Sequence, residues 1–539
     1  MRELPILPLV DGERLDSPTG PVRRWAGVRF ARSERFGAPR PVDALPVSAG
    51  VPGPAPAQPL PYYEDPGAPV SEDCLNLTVW APDRDDGAAG GRRSGAALPV
   101  VVWIYGGGFE HGANSSAMSD ASALAGTGRV VAVALNYRTG VLGFLSLSHL
   151  GGFDGASNLG LRDVAAGLTW VHRHIAAFGG DPERVTVVGE SAGAFLAAAL
   201  VSAGDARTLL SRLVLFSGGA SRVVPAWRAR EMTRAYLDAV GASADPRVLR
   251  DLPLDALFAA QPAIAVGDIG LRNNVAPQAL GVVDDSAEAG GLLAAHPMRA
   301  FEAGLAAHVP VLICSTRDEI GAFRRPELFD PAGTGAVADE VEALGVNRAR
   351  AEEIVEHYAG LPPAPDGEPG ASPGLVRQRM LTDWIYRLPA ARIALVQAAA
   401  GGTAHLAMTG RADGRIAGHA CDAAPLVGAA TPGRGRAGAR RDAQITGTVL
   451  DFATTGRPGW EAVPSPAPCR GDRDAGKRAP GAGDIAIGTP GAAGSAARAP
   501  RAEALTAPEA LPVHVFGEDF DAAGEYRSMV ALWRGVDRP

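Results

Sequence analysis

Residues 185–195 read V-T-V-V-G-E-S-A-G-A-F. A β-branched run stops at Gly189, and an alanine-rich, helix-forming stretch begins directly after Ser191. A buried strand that turns into a helix over so few residues needs glycine where the two elements meet. Gly189 and Gly193 remove the Cβ atoms that would block that approach, so Ser191 can sit on a tight turn with its hydroxyl presented. The helix behind it adds backbone N–H donors and a positive dipole end. G-x-S-x-G arises easily in a chain with 68 glycines. Its weight comes from the strand before it and the helix after it; outside that setting it is a serine in an ordinary turn.

The apolar runs Val100–Tyr105, Val130–Asn136, Val185–Gly189, Leu213–Ser217 and Val309–Ser315 are short, β-branched and bounded by turn residues, as strands buried on both faces are. Helical patterns lie between and after them, at Asp163–Ala177, Ala192–Val201 and Leu375–Ala399. Alternation of this kind predicts an α/β fold with a large, mostly parallel central sheet and helices on both faces. Ligands bind such sheets beyond the carboxyl ends of the strands, where Gly106–Gly108 and Ser191 would both emerge. Residues 84–97 read as a charged, glycine-rich surface loop. Residues 464–511, rich in Pro, Ala, Gly and Arg, read as a disordered or irregular insertion. Helical spacing returns over Ala522–Val536. Length alone suggests about three or four domains, but large α/β enzymes often violate that prior, and one domain over residues 1–539 is the expectation.

The net charge of -8 gives no reason to expect nucleic acid or an anionic membrane as partner. The first residues lack the basic start and unbroken apolar core of a signal peptide, and no apolar run reaches the roughly 18 residues of a membrane span. The four cysteines, Cys74, Cys314, Cys421 and Cys469, are far apart, with no metal-like clustering and no H-E-x-x-H. Reduced thiols, a cytoplasmic location and no metal or other cofactor are the expectations.

A serine hydroxyl is a poor nucleophile at neutral pH, so Ser191 needs a base, an acid to orient that base, and donors for a developing oxyanion. Gly106-Gly107-Gly108, following a strand, can turn consecutive N–H groups toward one point, and Ala192 adds its own. Ten histidines compete for the base. His172 and His174 lie in a helical pattern and read as surface residues. His111 is close to the glycine loop, His405 lies within a strand-like run, and His419 follows a glycine beyond a strand. An acid between serine and histidine in chain order is met by Asp318 or Glu319, just past Val309–Ser315. The same chain order favours a histidine well downstream of Ser191, His419 ahead of His111, while on residues alone both acids stay open.

Taken together, these segments resemble the type B carboxylesterases, the family of para-nitrobenzyl esterases, liver carboxylesterases and cholinesterases, with the α/β-hydrolase fold. The motifs are S-E-D-C-L-N-L-T-V-W-A-P (71–82), W-I-Y-G-G-G-F (103–109), N-Y-R-T-G-V-L-G-F-L-S (136–146), N-L-G-L-R-D (158–163), A-A-F-G-G-D-P-E-R-V-T-V-V-G-E-S-A-G-A (176–194), P-V-L-I-C-S-T-R-D-E (310–319) and G-H-A-C-D (418–422). The resemblance implies a cofactor-free serine esterase acting on small-molecule esters through an acyl-enzyme. It implies Ser191 as nucleophile, His419 as base and Glu319 as orienting acid, with Gly107, Gly108 and Ala192 as the oxyanion hole. Ser217 matches a family serine near the histidine, in a supporting or merely packing role. The same triad would serve an acyltransferase or lactonase, and the family also includes non-catalytic binding proteins. Oligomeric state and the particular ester stay open.

There are departures. The family usually has glycine directly after the acid, whereas Ile320 precedes Gly321 here. The stretch after His419 lacks aromatic residues, and the segment between Ala31 and Arg35 is shortened. Cys74 matches a cysteine that secreted members pair with an upstream partner, and no cysteine precedes it in this sequence.

Overall fold

The computed structural model describes residues 10–43, 45, 50–61, 64–83, 96–267, 280–323, 333–362, 372–427, 434–465, 511–518 and 520–536. The expectations for 84–97 and 464–511 therefore fall almost wholly outside the described residues.

Ten strands form one sheet. In chain order they are β1 Glu13–Ser17, β2 Gly20–Arg29, β3 Asn76–Pro82, β4 Leu98–Ile104, β5 Val131–Leu135, β6 Gly180–Glu190, β7 Arg212–Phe216, β8 Val311–Thr316, β9 Ala404–Thr409 and β10 Val513–Phe516. Their spatial order is β1-β2-β3-β5-β4-β6-β7-β8-β9-β10. The first three pairings are antiparallel, and every pairing from β5–β4 to β9–β10 is parallel. The mostly parallel sheet predicted from the alternation is present, with an antiparallel margin on one side. The edge strand β1 alternates exposed and partly covered residues, whereas β3, β5, β8 and β9 are buried at every position, so the middle of the sheet is covered on both faces.

The chain runs from β4 outward to β5 in one direction and resumes with β6 on the other side of β4. That reversal opens a crevice at the carboxyl ends of β4 and β6. The glycine loop leaves β4 there and Ser191 leaves β6. Helices α1 Leu159–His174 and α2 Ala192–Ala199 pack on this central region. The long helix expected at 375–399 is present with a break in its regularity: α3 Pro373–Thr382 and α4 Leu388–Ala399 are joined by a π-helical turn at Asp383–Arg387. α5 Arg436–Thr455 and α6 Ala522–Leu532 follow later in the chain.

A buried ion pair ties the approach to the site. Asp163 on α1 accepts from the backbone N–H of Arg138 at 3.0 Å and from its guanidinium at 2.8 Å twice. The two side chains are 0 % and 5 % exposed. Arg138 also donates to the carbonyl of Gly37 at 2.7 Å, so one guanidinium joins three segments. Asp163→Asn leaves that charge uncompensated in the interior and is expected to destabilise the protein by about 3–5 kcal/mol. Urea unfolding checks this; a loss under about 1 kcal/mol would mean that the pair is open to water.

Candidate active site

Ser191 adopts φ 51° and ψ -120°, a region that L-residues avoid. Such a residue stores about 1–3 kcal/mol and persists only where its surroundings over-determine it. Here the surroundings are tight. A Cβ on Gly193 would lie 2.0 Å from the carbonyl oxygen of Ile104, and one on Gly189 would lie 2.3 Å from that of Gly193. The N–H of Ser191 donates to the carbonyl of Phe216 at 3.0 Å, and the Ser191 carbonyl accepts from Ala194 and Phe195 in the first turn of α2. Strand, turn and helix thus close on one another with no room for a side chain at either glycine.

The glycine loop lies against this turn. A Cβ on Gly106 would come 3.0 Å from that of Ser191. Gly107, Gly108 and Phe109 all have positive φ, at 94°, 66° and 70°. Successive residues of that kind turn their N–H groups toward a common concavity, and the N–H of Ala192, first in its helix, has no partner within the helix.

His419 lies 228 residues after Ser191, and its Nε2 is 2.8 Å from the serine Oγ. Its Nδ1 is 2.7 Å from Glu319 Oε2. The other oxygen of Glu319 accepts from the N–H of Thr316 at 2.7 Å, which fixes the carboxylate at the end of β8. Because a carboxylate only accepts, the Nδ1–H tautomer satisfies this arrangement and leaves Nε2 to accept from Ser191. The expected serine, histidine and glutamate therefore form one hydrogen-bonded chain. Asp318, the other acid that residues alone left open, is bonded to Arg411 instead. Of the rival histidines, His111 has a buried Nδ1 with no hydrogen bond to protein, and His405 packs edge-on against Phe452 and Trp460. The hydroxyl of Ser217 is buried and makes no hydrogen bond to protein. Ile320, the departure after the acid, is accommodated by a 3₁₀ turn at Glu319–Phe323: its side chain is buried and its N–H donates to Thr382 Oγ1 at 3.2 Å.

Three further side chains crowd the imidazole, and sequence reasoning gave none of them a role. Glu190, last in β6, brings Oε1 to 3.3 Å from His419 Nε2. Burial pushes its carboxyl up to about 7, against the pull of His419 and with the help of Asp422, Glu319 and Glu64. Asp422 is buried beside Cys314 and Thr409 and rises to about 6, through burial and the charge of Glu319. The third is Tyr386, whose ring centroid lies 4.8 Å from that of His419 and which sits in the π-helical turn. Burial disfavours the imidazolium, but the hydrogen bond and charge of Glu319, then the charges of Glu190 and Asp422, outweigh it and raise His419 above ordinary imidazole. Glu190 directly follows the apolar run Val185–Gly189 and Asp422 closes the quoted G-H-A-C-D, but neither position in the sequence signals burial against the imidazole.

Among the described residues no group of His, Cys, Asp and Glu is arranged to hold a metal ion. Cys74, Cys314 and Cys421 are free thiols. None of the helices described is long and apolar enough to cross a membrane.

A parallel-centred sheet, a serine on a strained strand-to-helix turn and a histidine–carboxylate pair brought to it from later in the chain define an α/β-hydrolase. The model of the carboxylesterase family matches residues 7–403, and the chain belongs to that family. It is 37 % identical to the para-nitrobenzyl esterase of Bacillus subtilis (strain 168) over 57 % of this chain and 61 % of that protein. It is 34 % identical to the phenmedipham hydrolase of Pseudarthrobacter oxydans over 69 % of this chain and 66 % of that one. The matched stretch thus spans less than two thirds of either relative. A solved structure of a PNB esterase superimposes with a TM-score of 0.66 at 29 % identity, covering 84 % of this chain and 92 % of that one. The family match includes Ser191 and Glu319 and ends before His419.

The elevated carboxyl of Glu190 has a measurable consequence. Its folded value lies above that of an unfolded glutamate, so ionising it costs the native state stability as pH rises from about 4.5 through about 7. Glu190→Gln removes that cost. The melting temperature of the variant relative to the parent is expected to climb between about pH 5 and about pH 8 and then level off. A gap that stays constant with pH would contradict the burial of an ionisable carboxyl here.

Proposed function

We propose that the protein is a serine carboxylesterase that cleaves small-molecule carboxylic esters through an acyl-enzyme. The observation that carries this reading is the unbroken hydrogen-bond chain from Ser191 Oγ through His419 to Glu319, at 2.8 and 2.7 Å, set on a turn that holds the serine strained.

In this reading Ser191 Oγ attacks the ester carbonyl as its proton passes to His419 Nε2. Glu319 holds the ring in the required tautomer and stabilises the imidazolium. The carbonyl oxygen becomes an oxyanion that accepts from the N–H groups of Gly107, Gly108 and Ala192. Collapse of the tetrahedral adduct breaks the bond to the alkoxy oxygen, which takes the proton from His419 and departs as the alcohol. Water then gives a proton to His419 and attacks the acyl-serine; the second collapse releases the acid and returns the proton to Ser191. No step needs a metal or an organic cofactor.

The relatives are named a para-nitrobenzyl esterase and a phenmedipham hydrolase, and both names denote hydrolysis, which supports this reading. For this chain p-nitrophenyl acetate, butyrate and octanoate are the first substrates to try. Hydrolysis by the parent and a loss of at least about 10³-fold in Ser191→Ala is the expected result. Equal rates from the two proteins would rule Ser191 out as the nucleophile, and no hydrolysis of any ester by folded parent protein would overturn the reading.

A further inference from the structure

Asp318 stands next to Glu319 at the end of β8, and Arg411 opens the loop that leads from β9 to His419. Asp318 accepts from Arg411 at 2.9 Å and 2.7 Å, one guanidinium nitrogen on each carboxylate oxygen. The same Oδ2 accepts from the N–H of Ala417 at 3.0 Å, while the N–H of Asp318 donates to the Ala417 carbonyl at 2.9 Å. Ala417 is two residues before His419, whose own N–H reaches the Glu319 carbonyl at 3.2 Å.

Glu319 and His419 are one hundred residues apart in sequence. Their side-chain bond requires the turn 318–322 and the loop 410–419 to keep a fixed distance and angle. Contacts below that scale are close: a Cβ on Gly418 would come 2.9 Å from that of Ala322, and one on Gly321 would come 3.0 Å from Ile416 Cδ1. Much of the loop between Arg411 and Ala417 is exposed, and its hydrogen bonds to the 318–322 turn converge on Asp318. The pair is mostly covered, with side chains 13 % and 21 % exposed, and its fork-to-fork geometry resists rotation as a single contact would not.

We infer that the Asp318–Arg411 pair is a positioning clamp that holds the histidine loop on the acid turn, so that His419 Nδ1 stays aligned on Glu319. This inference rests on the esterase reading. Neither clamp residue touches the reacting atoms. Arg411 also keeps Asp318 occupied: a carboxylate adjacent to Glu319 is held by a guanidinium instead of competing for the imidazole, which already faces Glu319, Glu190 and Asp422. The contrasting role is that of an ordinary ion pair, contributing to stability and indifferent to catalysis.

Asp318→Asn and Arg411→Lys separate the two. Each keeps a polar group in place and loses the two-point fork. With p-nitrophenyl butyrate, both are expected to lose about tenfold or more in kcat with KM within about twofold, since small misplacements of a catalytic group are costly. A loosened Glu319 bond also lowers the His419 pKa, so the acid limb of kcat moves to lower pH. A purely structural pair would lower the melting temperature and leave both kcat and the pH profile where they were, and that result overturns the clamp. If Asp318→Asn does not fold, Arg411→Lys alone decides by the same criteria. Should the parent hydrolyse no ester, the esterase reading has failed and the clamp is judged by proton NMR. The far-downfield resonance of an imidazole N–H bonded to carboxylate must weaken or shift in Arg411→Lys; an unchanged resonance refutes the clamp.

Discussion

The carbonyl oxygen of Ile104 and the α-carbon of Gly193 are the contact on which the rest of the site depends. They touch so closely that no side chain fits at position 193, and the same holds at Gly189. This contact lets β6 end and α2 begin within the space of Ser191, and it forces the serine to φ 51°. A serine in relaxed backbone would lie along the strand or within the helix, with its hydroxyl engaged by neighbouring backbone. Held on the turn, it faces the glycine loop on one side and His419 on the other. The stored strain is modest beside the core of a ten-stranded sheet, which tolerates it.

Electrostatics around the imidazole follow from burial. Glu319, Glu190 and Asp422 all act on His419, and three charges of one sign cannot be held in so small a volume without water. The outcome is a division of labour. Glu319 is anchored by the Thr316 N–H and bonds the ring, while Glu190 and Asp422 are driven toward their neutral forms. Asp318, a fourth carboxyl close by, is tied to Arg411. The ring of Tyr386 lies tilted against the imidazole, carried there by a π-helical turn, a local irregularity found often at functional sites.

What the sequence disclosed followed the range of the interactions. The elbow and the glycine loop are local, and their residues could be read directly. The strands around them were legible because burial on both faces leaves a β-branched run, and β4 to β8 fall within a few residues of the runs at 100–105, 130–136, 185–189, 213–217 and 309–315. The choice of His419 over His111, and of Glu319 over Asp318, was not local. It depends on how β8 and β9 pair: chain order favoured a histidine downstream of the serine, and only family resemblance separated Glu319 from Asp318. Glu190 and Asp422 gave no signal because their importance lies in what surrounds them, which spacing does not encode. The helix at 375–399 was read as uninterrupted because one extra residue in a turn barely alters an apolar period.

The most direct test of the account is the site and rate of covalent labelling by a fluorophosphonate, read by peptide mass spectrometry in the parent protein and in His419→Ala. The account predicts a single adduct on Ser191 in the parent, with labelling slowed by at least about 10³-fold when the imidazole is removed. An adduct on another residue, or labelling of Ser191 at an undiminished rate without His419, would contradict it.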